Sequence, residues 1–284
     1  MALRNILDKV ELTSGLDRIG DPVRRGAQAV LRGRLRDILQ GVWLGHPLHP
    51  AMIDLPIGAW MSAAVLDAVP GAESAATVLV GFGTAGALPA AAAGLTDWTS
   101  LSTEQRRVGL VHATANAVAL ALYTGSLSAR LRGRHGLGRR LAYAGFGVAG
   151  LGAYIGGHLS YRQAAQVNHA VPFLRLIPDG WHDLCDEHEV VEGRPIVRRI
   201  GEVPVLLART TSGPTALVER CGHHAGPLGD GKVVQIDGAD CVVCPLHGST
   251  FRLADGVVMH GPAGSNQPLL RVRVQGGRIQ VALP

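Results

Sequence analysis

Apolar residues follow two different rhythms along this chain. Up to about residue 170 they gather in long runs, and four stretches, roughly 50–69, 75–95, 108–129 and 141–161, each reach the length of about 20 residues that crosses a bilayer. The second and fourth contain no charged residue at all. These runs predict four long helices joined by short polar links. Beyond residue 178 the apolar runs shorten. The segments 204–208, 233–236, 241–243, 269–274 and 278–281 have β-type composition and are separated by Gly, Asp and Pro, which predicts a small antiparallel β-domain. The expected divisions are a charged, partly amphipathic helical lead-in over 1–40, a helical domain over 41–170 and a β-domain over 178–284.

Charge sharpens the same division. From residue 178 onward ten Lys or Arg face twelve Asp or Glu, so the net charge of +5 leaves an excess of +7 on the first 177 residues. That excess clusters beside the apolar runs, at Arg24, Arg25, Arg32, Arg34 and Arg36 and again at Arg130, Arg132, Arg134, Arg139 and Arg140. Lipid phosphates account for it better than nucleic acid, because no aromatic-interleaved groove or recognition helix accompanies it. Trp43, Trp98, Tyr143 and Tyr161 stand near the ends of the runs, where a bilayer interface favours them. The expected partner is therefore the lipid bilayer and the expected location a cell membrane crossed several times. The alternative is a soluble bundle of Ala-rich core helices.

Four crossings put both termini on one side. The first forty residues lack an uninterrupted apolar core, so no secretory signal is expected, and Arg24-Arg25 lies too far from the first apolar run for a twin-arginine signal. Arg placement leans to cytoplasmic termini and a cytoplasmic C-terminal domain. Asp54 and Asp67, inside the first stretch, are expected to face the interior of the bundle.

Alternating helix direction gathers His46, His49, Asp97, His112 and His158 at one membrane face. Three readings compete there. The histidines are interfacial and bonded to backbone or lipid phosphate, or two of His49, His112 and His158 hold a haem b or a metal, or they contact a quinone. The segments Gly45-His46-Pro47-Leu48-His49-Pro50, Leu95-Thr96-Asp97-Trp98 and Gly156-Gly157-His158-Leu159 resemble an uncharacterised family of small bacterial four-helix membrane domains, over roughly residues 40–170. That resemblance implies topology alone.

The sharpest chemistry lies in two short loops, Cys221-Gly222-His223 and Cys244-Pro245-Leu246-His247, each offering one thiolate and one imidazole. Two sulfurs and two nitrogens suit a 2Fe-2S centre with one iron on both Cys and the other on both His. The same donors also suit zinc. Cys241 stands three residues before Cys244 and makes a Cys-x-x-Cys, so a dithiol or zinc knuckle is a further alternative; Cys185 has no partner in the pattern. The stretches 220–228 and 243–249, followed by Gly261-Pro262-Ala263 as an apolar lid, resemble the Rieske signature over roughly 178–283. The fold class is then a multidomain chain, an all-α four-helix transmembrane bundle followed by an all-β Rieske-type iron-sulfur domain.

The resemblance implies that Cys221 and Cys244 hold the inner iron and His223 and His247 the outer one, with Ser249 and Pro262 beside the cluster. High-potential relatives brace the loops with a disulfide and place a Tyr hydroxyl nearby. Here Gly226, Leu246 and Phe251 occupy those positions, which implies a low potential. The function expected is one-electron transfer by a membrane-anchored protein, with a redox partner protein or quinone at one end. The alternatives are the electron-entry component of an oxygenase-type system and a redox sensor. No nucleophile-base pair, phosphate loop or facial triad of two His and a carboxylate emerges for a self-contained enzyme.

Overall fold

The computed structural model describes residues 2–284, leaving Met1 of the lead-in outside the described residues. The chain forms two compact units, residues 1–35 with 48–165 and residues 36–47 with 166–284. The helical lead-in is thus shared: its last residues and the approach to the first apolar stretch belong with the β-rich unit.

The helical unit contains α1 (Ala2–Glu11), α2 (Asp17–Val30), the start of α3 (Gly33–Leu39), α4 (Leu48–Met52), α5 (Asp54–Leu66), α6 (Glu73–Trp98), α7 (Thr103–Leu131) and α8 (His135–Gly157), which runs into a π-helical turn at His158–Arg162. Long helices do stand where the second, third and fourth apolar stretches predict them. The first stretch departs from expectation, because it breaks at Ile53 and leaves α5 with 13 residues. Pro56 has no N–H for the Met52 carbonyl, which favours ending one helix and restarting the next. At 1.5 Å per residue α5 is only about 20 Å long, short of the roughly 30 Å hydrocarbon layer. Among the described residues α6 and α7 are long and apolar enough to cross a membrane, with 26 and 29 residues.

The start of α7 shows how the sequence fixes a helix end. Ser102 Oγ accepts from the Gln105 N–H at 3.3 Å while Gln105 Oε1 accepts from the Ser102 N–H at 3.0 Å, satisfying two donors that the first turn leaves open. Farther along, Trp60 stacks on Tyr123 with ring centres 4.0 Å apart. Gly83 permits this, since a Cβ there would lie 2.6 Å from the indole. Asp67 is buried as expected and receives both amino groups of Arg130, at 2.8 and 2.5 Å, whereas Asp54 is exposed instead of interior.

In the second unit ten strands form two antiparallel sheets, joined to a short helix α9 (Val171–Leu174). The larger sheet has the order β1 (His182–Asp186), β10 (Arg278–Ala282), β9 (Leu269–Gln275), β4 (Gly213–Val218), β3 (Val203–Thr210), β2 (Ile196–Ile200). The smaller has β5 (Lys232–Ile236), β6 (Ala239–Val243), β7 (Thr250–Arg252) and β8 (Val258–His260) in sequence. Turn chemistry sets the register. Asp237-Gly238 links β5 to β6 and Gly276-Gly277 links β9 to β10, all four with positive φ, which the mirror-image two-residue turns of hairpins require. Leu206, Leu217, Val242, Phe251 and Leu253 are buried in one core with Cys221 and Cys244, so the cysteines are anchored by the packing of the sheets.

Candidate metal centre

The first loop leaves β4 and returns at β5. The Cys221 N–H donates to the Gly226 carbonyl at 2.9 Å and the Ala225 N–H to the Cys221 carbonyl at 2.8 Å, folding Cys221, His223 and His224 over a tight turn. The second loop joins β6 to β7. There the Cys244 N–H donates to the Ser249 carbonyl at 2.8 Å and the Gly248 N–H to the Cys244 carbonyl at 3.0 Å. Gly248 adopts φ of +79°, the left-handed geometry that this return needs and that glycine supplies without steric cost.

All four sequence-predicted ligands come together. Cys221 and Cys244 are buried and share a hydrogen bond, and the rings of His223 and His247 stand 5.0 Å apart and nearly perpendicular. Two imidazoles on one tetrahedral metal, with bonds of about 2.0 Å, have ring centres about 5 Å apart. His223 is 6% exposed and both its ring nitrogens are buried without a hydrogen-bond partner, while His247 is exposed. An unpartnered buried nitrogen is costly, and coordination to a metal relieves it.

The electrostatics prepare the same donors. The hydrogen bond from Cys221, helped by the backbone N–H groups of Leu246 and His247, brings the Cys244 thiol down to about 6 against its burial. The Cys221 thiol, donor in that pair and enclosed by the core, is pushed up. Burial, then the positive charges of His224, His247, His169 and Arg36, lowers His223 to about 2. Burial, with His169 and His247, lowers His224 to about 4. His223 is therefore neutral, which is the form that binds a metal.

Ser249 is fully buried, and its Oγ accepts from the Ala263 N–H at 3.0 Å, so it fastens the lid to the second loop. Pro262, buried in that lid, follows a cis peptide bond. Where a disulfide would brace the loops, Leu246 lies against Gly226 so closely that a Cβ on the glycine would meet Leu246 Cδ1 at 2.9 Å. The four cysteines are free thiols, and Cys241 sits on β6 with its Sγ directed to the Ala239 carbonyl.

Several supporting residues escaped the reading of the sequence. Buried Gln267 accepts from the Gly222 N–H at 3.0 Å and donates to the carbonyls of Val218 and Arg220 at 2.6 and 2.8 Å, stapling the first loop. His169 donates its backbone N–H to the Gly222 carbonyl and stacks on His224 with ring centres 5.5 Å apart. Asp37 accepts from the Gly261 N–H at 3.1 Å and pairs with His260 at 2.9 Å. These partners lie 45 to 224 residues away, and no local pattern announces them.

In the helical unit the structure brings His49 and His112 together, with ring centres 6.3 Å apart. His158 is placed elsewhere, 3.2 Å from Glu11. His46 Nδ1 contacts the Pro47 carbonyl.

Two loops of a β-fold offering paired thiols and paired imidazoles are the donor set of a metal-cluster protein. Residues 180–274 match the Rieske [2Fe-2S] domain, and residues 45–169 match the predicted membrane protein family DUF2231. The 3-phenylpropionate/cinnamic acid dioxygenase ferredoxin subunit of Escherichia coli (strain K12) is 31% identical over 101 residues, which are 35% of this chain and 91% of that protein. The ferredoxin of carbazole 1,9a-dioxygenase from Nocardioides aromaticivorans IC177 is 22% identical over 37% of this chain and 100% of its own, with a TM-score of 0.33. The chain belongs to the Rieske [2Fe-2S] family through its C-terminal unit. Such a domain implies a 2Fe-2S cluster and electron transfer, and Cys221, Cys244, His223 and His247 are the residues that fit it.

Proposed function

We propose that this protein is a membrane-tethered one-electron carrier, with Cys221 and Cys244 on the inner iron and His223 and His247 on the outer iron of its cluster. When bound, the cluster accepts and releases single electrons. The protein supplies a dry thiol pocket, a neutral His223 and an exposed His247 as the route outward. One observation carries the tether: α6 exposes Val78 at 69%, Phe82 at 56% and Leu88 at 61%, an apolar outer surface that water disfavours and lipid does not. We place both termini and the cluster domain on the cytoplasmic side, with a partner protein or a quinone, or a haem in the helical unit, completing the path. Cells expressing the full chain should retain the Rieske EPR signal in membranes washed with alkaline carbonate; a signal that washes into the supernatant refutes the tether.

The likeness to an oxygenase ferredoxin subunit favours a second reading, the electron-entry component for a separate oxygenase. Reduction by a quinol in detergent supports the first reading, and reduction by a flavoprotein reductase alone supports the second. Both readings share a low potential. Leu246 against Gly226 replaces a brace, and Phe251 brings no hydroxyl, so fewer donors stabilise the added electron. Redox titration should place the midpoint toward the lower end of the Rieske range of about −150 to +300 mV, and a value near the top contradicts the argument.

A further inference from the structure

His49 and His112 come from different helices, α4 and α7, yet they are held in the same way. His49 Nδ1 lies 2.8 Å from the Ala90 carbonyl on α6, and His112 Nδ1 lies 2.9 Å from the Gly152 carbonyl on α8. A carbonyl only accepts, so each ring carries its hydrogen on Nδ1 and its lone pair on Nε2. A backbone carbonyl on the far nitrogen is the usual way a metal-binding imidazole is fixed in tautomer and orientation.

Glycines make room for both rings. A Cβ at Gly94 would lie 2.8 Å from His49 Nδ1, and one at Gly156 would lie 3.1 Å from His112 Cε1. Each imidazole therefore rests directly on a neighbouring helix backbone and has little freedom to turn. The ring centres stand 6.3 Å apart with planes nearly perpendicular. Metal–nitrogen bonds of about 2.0 Å, with about 1.1 Å from nitrogen to ring centre, put two imidazoles on opposite sides of one metal about 6.2 Å apart. Neighbouring ligands on a tetrahedral ion stand about 5 Å apart, as the His223 and His247 rings do. The Asn116 amide contacts His112 Nε2 at 3.2 Å and donates to the His112 carbonyl at 2.9 Å, so an occupant on Nε2 displaces one of its two N–H contacts and leaves the other in place. Both rings are partly accessible at their surface, so an occupant has an approach.

We propose that His49 and His112 form a bis-imidazole site for a transition metal, with the iron of a haem as the occupant whose ligands stand opposite one another. This rests on one arm of the proposed function, a haem in the helical unit, and deepens it by naming the ligands. It also separates these two histidines from His158, which Glu11 engages.

The test uses the full-length protein purified in detergent, comparing wild type with His49→Gln, His112→Gln and His158→Gln. The readouts are the reduced-minus-oxidised spectrum, the pyridine haemochrome, and copper, zinc and iron content. The cluster EPR signal per chain and monodisperse elution report whether each variant is folded, and they test the Rieske reading independently. About one low-spin haem per chain, falling at least tenfold in the first two variants and unchanged in the third, is the expected result. A copper, zinc or extra iron equivalent that follows the same pattern without haem supports the bis-imidazole site and assigns it to a bare ion. Folded wild type holding no haem and no metal beyond the cluster overturns the proposal. So does a metal content that ignores both substitutions.

Discussion

Two pairs of imidazoles, one in each unit, are prepared in opposite ways. His223 and His247 stand on loops with two thiols beside them, and both His223 ring nitrogens are buried and unpartnered. His49 and His112 stand on helices with Nδ1 already bonded to backbone. In the loop pair the buried His223 ring has no hydrogen-bond partner on either nitrogen, whereas each ring of the helical pair has one nitrogen satisfied by backbone. Loss of metal should therefore damage the β-unit far more than the helical unit.

The largest effect follows directly. Cys244→Ser or His223→Gln should abolish the Rieske EPR signal, because each removes one of the four proposed ligands. Thermal unfolding of the β-unit should also move down, since the buried His223 nitrogens lose the partner that burial demands. The corresponding change at His49 should leave the β-unit's melting unaltered. If both units melt unchanged without the cluster, the contrast between the two pairs is wrong.

The contrast also explains what was legible beforehand. The two Cys–His loops were readable because their thiols and imidazoles lie close in sequence, and the structure brings the two thiols together and the two imidazoles together. Strands such as β5, β6, β9 and β10 were readable from β-branched runs and Gly turns. By contrast β4 opens with Gly213-Pro214 and β7 is three residues long, so neither carries a β-type run. Gln267 and Asp37 were invisible for another reason, since their partners are distant in the chain and their roles exist only after folding. A shared membrane face suggested grouping His158 with His49 and His112, but a shared face leaves rotation about the helix axis undetermined, and the His158 ring lies against Glu11.

A second test concerns the helical unit alone. Asp67 and Arg130 are both buried and joined by two hydrogen bonds, with Ser126 Oγ accepting from Arg130 Nε. Asp67→Ala strands a buried guanidinium and should cost about 3–5 kcal/mol, whereas replacing both partners with apolar residues should recover most of it. Scanning calorimetry of the detergent-purified variants measures this. A single variant as stable as wild type shows that water reaches the pair.

Within the β-unit, Gln267→Leu removes three hydrogen bonds while keeping the volume roughly constant. The Gly222 N–H and two carbonyls lose their partner, for a cost of about 2–3 kcal/mol. Urea unfolding followed by loss of cluster absorbance should show the midpoint fall with unchanged slope. Gln267→Glu sharpens the reading, because a carboxylate accepts from Gly222 but cannot donate to Val218 and Arg220.

The smallest effect belongs to Asp37, which ties residues 36–47 to the lid. Its partner His260 is half exposed, so an ion pair with the protonated imidazole is worth at most about 1 kcal/mol, and the hydrogen bond to the Gly261 N–H adds about as much. Asp37→Asn keeps an oxygen for that N–H and removes the charge and the acceptor facing His260, whereas Asp37→Ala removes the backbone bond as well. Amide exchange at Gly261 should accelerate modestly in the first variant and severalfold more in the second. Equal acceleration in both would show that the charge, and not the backbone bond, holds this segment on the lid. Salt then separates the two contributions, since screening weakens the ion pair and leaves the bond to Gly261 nearly untouched.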